Sequence, residues 1–273
     1  RAGRAARLGP GLARRLWDAR DRLRPTREPD IARVDLAAPV LDLLVWGANP
    51  WTFEWFETPR DERLEHALEV LARLGAVEGP TRAPAVTTLG RRLQRLPVHP
   101  RLARILLEGD GGFDVAAACA LLSEGRTFAA GSATTSCDLL ADIDRFSTQP
   151  PHVRQLAREL QRAAGGEAAR EGATSGRVDE GRLRRALFAG FADRLARRRA
   201  AGSDRLVLAS GHGASLGRES GVREGEFLVA LDVTAATRDG AAEARVRMAS
   251  AVDAAWITPT AVETVHRLDA SSG

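Results

Sequence analysis

The apolar positions along this chain follow two different periods. Between residues 34 and 200 they recur every three or four positions, and beyond Arg205 they alternate. Leu36, Val40, Leu43 and Leu44 keep a helical period that ends at Gly47, and Asn49-Pro50 breaks the chain. Thr58 is placed to cap a second helix with Pro59 at its first position. Leu64, Leu68, Leu71 and Leu74 then line one face, and Gly75 stops the run. Val86–Thr88 reads as a short extended piece, followed by a helical run over Leu89–Leu96. Helices with a short extended hairpin in so small a unit form the pattern of a winged helix over 31–98.

His99-Pro100 opens another helix, with Leu102, Ile105, Leu106 and Leu107 as its apolar positions, and the Gly109–Gly112 loop ends it. Phe113–Ser123 is apolar and helical. The Ser- and Thr-rich stretches of 131–150 read as holding a mobile loop. Val153–Ala164 and Gly181–Ala200 read as two amphipathic helices, split by a polar, Gly-rich stretch at 165–178. From Arg205 the period is two: Arg205–Ala209, Phe227–Val233 and Glu243–Ala249 read as strands of a small barrel-like domain. Upstream, Leu12–Trp17 reads as a short strand and Pro25–Pro29 as a linker. The predicted class is α+β, mainly α.

Composition narrows the chemistry. The 273 residues are 44% hydrophobic and 28% charged, which suits an ordinary soluble protein of two or three modest domains. No apolar run reaches the roughly 20 residues of a membrane span, and no signal peptide is visible, so the expectation is a cytoplasmic protein without a membrane partner. All 40 basic residues are Arg; the sequence contains no Lys and no Tyr. A P-loop needs Lys to reach the nucleotide phosphates, so this stretch carries no complete site of that kind. Schiff-base chemistry is excluded for the same reason. Cys119 and Cys137 lie too far apart for a CxxC unit and read as small buried residues of a reducing compartment. Five scattered histidines form no metal constellation. His66 reads as a surface residue and His99 as a helix cap. The start at Arg1 suggests a piece of a longer protein.

Residues 1–33 hold ten Arg against four Asp and Glu. Within them, Arg1-Ala2-Gly3-Arg4-Ala5-Ala6-Arg7 resembles motif VI of superfamily-2 helicases, QRxGRxGR, with Ala6 in place of the usual Gly. Gly9-Pro10-Gly11 with Arg15-Leu16-Trp17, Val34–Ala37 through Val45-Trp46-Gly47, Leu89-Gly90-Arg91, and Leu96–Ala103 then follow in order. Phe191–Arg199 and Leu206–Gly213 complete a resemblance to DEAH-type, HrpB-like ATP-dependent helicases over nearly the whole chain. It implies the tail of a second RecA-like lobe at 1–30, a winged helix at 31–98, a helical ratchet domain at 99–202, an OB-like barrel at 203–255, and the start of a further region at 256–273. It also implies that Arg4 and Arg7 act as arginine fingers on the ATP γ-phosphate. ATP with Mg2+ would be held by the intact protein, whose RecA-like lobes lie outside this sequence; the chain alone would bind no nucleotide and turn over no ATP. The implied partner is single-stranded RNA or DNA.

Arg194, Arg197, Arg198 and Arg199 form a basic run. Arg194, Arg197 and Arg198 share a face at helical spacing. Such a run either complements a helix C-terminus or holds phosphates, and the resemblance favours phosphates. Two other classes compete: a free-standing nucleic-acid-binding or scaffold module, and, remotely, a serine hydrolase. Gly213-Ala214-Ser215-Leu216-Gly217 matches GxSxG, with Asp232 and His266 following. That motif needs a strand before and a helix after it, and Arg218-Glu219-Ser220-Gly221 is a poor helix.

Overall fold

A computed structural model describes residues 9–14, 16–18, 20, 28–125, 134–165, 178–234 and 243–259. The chain divides into two units, Arg1–Val34 and Asp35–Gly273. In the first, the 3-10 turn Asp30–Ala32 is closed by an Arg33–Asp30 ion pair. The described residues of Leu12–Trp17 form no strand. Leu12 and Leu16 are about nine-tenths exposed, and an extended segment with no ladder partner has nothing to fix it.

The second unit begins with α1, Ala37–Trp46, which ends at Gly47 in the left-handed conformation, φ 94°. α2 spans Asp61–Arg73 and starts two residues later than Thr58-Pro59 suggested; Arg60 is its N-cap. Asp61 and Glu62 in the first turn place negative charge at the positive end of the helix. β1, Val77–Glu78, and β2, Ala85–Val86, form a short antiparallel hairpin. α3, Thr88–Gln94, is capped by Thr87, whose hydroxyl oxygen accepts from Gly90 N at 2.9 Å. Two helices, a hairpin and a third helix thus follow in the predicted order.

α4, Pro100–Glu108, and α5, Phe113–Ser123, run into the core of the helical layer; α5 is buried from Asp114 to Leu121. α6 is Leu140–Asp144, α7 Pro151–Ala164, and α8 Glu180–Phe191. α8 crosses α4 at Gly190, where an added Cβ would stand 2.4 Å from Ile105 Cγ1 and 2.7 Å from the Arg101 carbonyl. No side chain larger than hydrogen fits that crossing.

Five strands close a barrel: β3 Leu195–Arg198, β4 Arg205–Leu208, β5 Gly213–Leu216, β6 Phe227–Thr234 and β7 Ala244–Val252. Their order is β3-β4-β5-β7-β6, and only the β5–β7 pairing is parallel. Ala196, Leu206, Ala214, Leu216, Leu228 and Val246 fill the interior. Two of these strands correct the reading from sequence. The predicted helix over Gly181–Ala200 stops at Phe191, so the barrel begins at Leu195 and not near 203. The period-two pattern of Leu195–Arg199 was hidden because the buried position 198 is itself Arg. The second missed strand, β5, occupies the GxSxG string.

The barrel is tied to the helical layer by directional bonds. Asp138 accepts from Gly221 N at 2.7 Å and Ala249 N at 2.8 Å, and Arg184 Nε donates to the Ala251 carbonyl at 3.0 Å. Cys137 forms an isolated bridge to Ser250. Both cysteines are free and buried, and burial pushes their thiols well above the ordinary range, to about 11 for Cys137, which leaves them unreactive.

Candidate functional site

β3 sends alternate side chains out of the barrel. Ala196 and Arg198 are buried, while Arg197 and Arg199 are exposed. Arg197 lies between two ladder partners, Phe227 on β6 and Val207 on β4. Together with Leu195, Arg199 and Leu208, these residues line an open groove of about 420 Å³ on the outer wall. The Arg197 guanidinium stands 6.0 Å from the Phe227 ring centroid, and its Nε donates to Glu226 at 2.7 Å. Arg205, across from Arg199, is paired with Glu243. The groove therefore offers an apolar and aromatic floor with cations at its rim. That combination takes a flat apolar group carrying negative charge, as a base with its phosphate does.

The four arginines of the basic run do not act together. They do not share a helical face, because Leu195–Arg198 is a strand. Arg198 points inward. Only 5% of it is exposed, and it donates to the carbonyls of Gly225 (2.9 Å), Ser203 (2.6 Å) and Val222 (2.6 Å). Burial lowers its pKa, but the three carbonyls compensate the charge, and its fork is engaged inside the fold. Arg194 sits in the 3-10 turn Ala192–Arg194 beside the Phe191 ring at 5.0 Å and donates to the Leu231 carbonyl at 3.4 Å. Burial first, then the neighbouring Arg101, lowers its pKa. Arg197 and Arg199 remain as the exposed arginines of the groove, whose lining also includes Arg198. Arg4 and Arg7 lie outside the described residues.

His99 caps α4: its Nδ1 accepts from Arg101 N at 3.2 Å, which leaves the proton on Nε2, 3.4 Å from Asp35. The neighbouring His99 imidazole is the main reason the Asp35 carboxyl sits well below the usual carboxylate range. Arg101, 5% exposed, grips Asp193 with both terminal nitrogens, at 2.5 and 2.8 Å. Burial opposes the Asp193 charge, but the Arg101 bonds hold its pKa below normal.

Ser215 stands in the middle of β5, opposite Arg205 and Arg245. A nucleophile elbow needs a sharp strand-to-helix turn, and a flat ladder position provides none. Asp232 pairs with Arg247 at 2.7 Å, and His266 lies outside the described residues. The hydrolase reading is therefore withdrawn. Sequence reasoning missed Phe227 as a groove residue and Glu226 as the partner of Arg197; the alternation over Leu195–Arg199 was the signal that would have found their neighbours. Among the described residues no group of His, Cys, Asp and Glu is arranged to hold a metal ion, and no helix is long and apolar enough to cross a membrane.

No protein-family model matches the chain. The chain is 30% identical over 237 residues to the ATP-dependent RNA helicase HrpB of Escherichia coli, covering 84% of this chain and 27% of that protein. A crystal structure of E. coli DExH-box NTPase HrpB superposes over 93% of this chain and 29% of its own, with a TM-score of 0.64 and 30% identity. The chain belongs to the HrpB-like, DEAH-type helicase family. Part of it also resembles the ATP-dependent RNA helicase HrpA of E. coli, 37% identical over 113 residues, 40% of this chain and 9% of that protein. The chain thus spans about a quarter of the length of HrpB. The mixed helical layer and closed five-stranded barrel are the fold of the matching HrpB region.

Proposed function

We propose that this chain is the strand-holding accessory region of an ATP-dependent RNA helicase that couples NTP hydrolysis to movement along a single strand. The carrying observation is the barrel groove, in which Arg197 and Arg199 flank Phe227 on a chain of the HrpB-like family. Cations track a phosphate backbone and an aromatic ring accepts any base, so the groove suits single strands of no fixed sequence. Phosphate contacts do not separate RNA from DNA, and the same titration with both strands decides between them. On this reading residues 35–98 act as the winged helix and the helices from α4 to α8 as the ratchet bundle.

The residues of this chain do not fit a nucleotide-phosphate site by themselves, because there is no Lys anywhere in the sequence. Arg4 and Arg7 would serve ATP and Mg2+ held by the two RecA-like lobes of the intact protein. The test is direct. The chain should bind a fluorescent 20-nucleotide oligouridylate with salt-dependent affinity. Arg197→Gln with Arg199→Gln should lower the slope of log affinity against log salt by about 0.7–1.4, with about 0.7 from Arg199 and less from Arg197, which Glu226 already neutralises in part. A chain with no affinity for the strand at low salt overturns the proposal, as does a folded double variant with an unchanged slope.

A further inference from the structure

We propose that α7 carries a second phosphate-binding strip, formed by Arg154, Arg158 and Arg162, which holds the same nucleic-acid backbone. This rests on the nucleic-acid reading above and extends it to a different element. The three arginines stand at i, i+4 and i+8 of a 14-residue helix. Successive members are about 6 Å apart along the axis and rotate only slowly around it. That spacing is close to one nucleotide of an extended single strand. The opposite flank of the helix is buried through Val153, Ala157 and Leu160, so packing fixes which way the strip faces. Arg158 and Arg162 are exposed, and Arg154 is half-buried.

Unlike the paired arginines of the barrel, this strip has no neutralising acid among the described residues. On the barrel, Arg197, Arg205, Arg223 and Arg245 each pair with a carboxylate. Among the described residues none of Arg154, Arg158 and Arg162 has one; the acid on the neighbouring flank, Glu159, takes its hydrogen bond from Gln155 at 2.8 Å. Within the strip Arg162 Nε donates to the Arg158 carbonyl at 3.3 Å, which holds that side chain along the helix. A donor-rich, acid-free line on a rigid helix calls for an extended anion. In a chain of this family, a nucleic-acid backbone supplies one.

The experiment is a salt titration of the chain with 20-nucleotide oligouridylate. It compares wild type, the triple variant Arg154→Gln, Arg158→Gln, Arg162→Gln, and a triple Lys variant at the same positions. A charge-matched control removes Arg82, Arg104 and Arg145, each already paired to a carboxylate. The triple Gln variant should lose about 2 units of slope, the Lys variant should keep most of it, and the control should change little. If the triple Gln variant misfolds, Arg158→Gln with Arg162→Gln, both exposed, should still lose about 1.4. Wild-type binding with an unchanged slope in the folded Gln variants overturns the strip and leaves the groove reading standing. An equal loss in the charge-matched control overturns it as well, since net charge alone would then explain the effect. Failure of wild type to bind overturns both readings. If the strip instead binds polyglutamate in preference to oligouridylate, it serves an acidic protein and the proposal fails.

Discussion

Replacing Arg198 by Ala tests whether β3 is a strand with an inward arginine. The guanidinium is 5% exposed and donates to three backbone carbonyls, those of Gly225, Ser203 and Val222, at 2.6–2.9 Å. Each hydrogen bond from a charged donor contributes about 1.5–3 kcal/mol net, and a buried acceptor left without a partner costs about 1–3 kcal/mol. Water will reach some of these carbonyls once the side chain is gone, so the sum overstates the loss. With water replacing part of the lost bonding, a net loss of about 3–5 kcal/mol is expected. For a chain of this size it lowers Tm by about 6–15 °C. Arg197→Ala is the internal comparison. Its Glu226 pair is more than half exposed on both sides, so its loss should cost under about 1 kcal/mol. Were residues 181–200 one helix, positions 197 and 198 would be adjacent surface sites with equally small effects. Differential scanning fluorimetry and urea unfolding of both variants separate the two cases. An Arg198→Ala protein melting within 2 °C of Arg197→Ala would refute the inward clamp.

Two further outcomes follow from the helical layer. Asp35→Asn removes a carboxylate whose folded pKa is depressed, so its contribution is present above the ordinary carboxylate range and fades as pH falls through and below about 4. In urea unfolding the stability gap between wild type and the variant should therefore be full at pH 6 and shrink towards pH 3; a pH-independent gap would contradict the Asp35–His99 linkage. Gly190→Ala forces a methyl to 2.4 Å from Ile105 Cγ1 and 2.7 Å from the Arg101 carbonyl. The overpacking should cost about 1–3 kcal/mol, read from the urea midpoint, and the penalty should be smaller in an Ile105→Ala background, which removes Cγ1.

Much of the fold was legible where one periodicity ruled a segment. The four apolar positions of α2 and the stop at Gly75 were readable because burial there follows the 3.6-residue period. β7 was readable from the alternation of Val246 and Met248 with Arg245 and Arg247, and β6 from a continuous apolar run whose residues 228–231 are all buried. Reading failed where a polar residue took a core position. At Leu195–Arg199 the inward residue 198 is an arginine compensated by carbonyls that come from residues 203, 222 and 225. No local pattern announces partners that distant, and the string looks like the charged end of a helix. β5 was missed for a different reason: four residues, Gly213–Leu216, are too short for alternation to outweigh a motif match.

The same argument limits what arginine content says about a binding surface. With no Lys in the sequence, Arg must fill every cationic role. Arg198, Arg184 and Arg194 donate to backbone carbonyls, and Arg101 and Arg182 clamp the largely buried acids Asp193 and Asp114. These groups hold elements in place and have little field left to offer a phosphate. An arginine paired with an exposed carboxylate keeps its fork but attracts a polyanion weakly, since the acid repels it. Arginines that are exposed and lack such an acid release counterions most fully on binding, and an acid partner reduces that share. By that criterion the run at 194–199 contributes Arg199 fully and Arg197 in part. α7 carries three such arginines in one line, Arg154, Arg158 and Arg162, the last two exposed. Any strand running over this region should therefore owe more of its salt dependence to α7 than to the basic run that the sequence displays most openly.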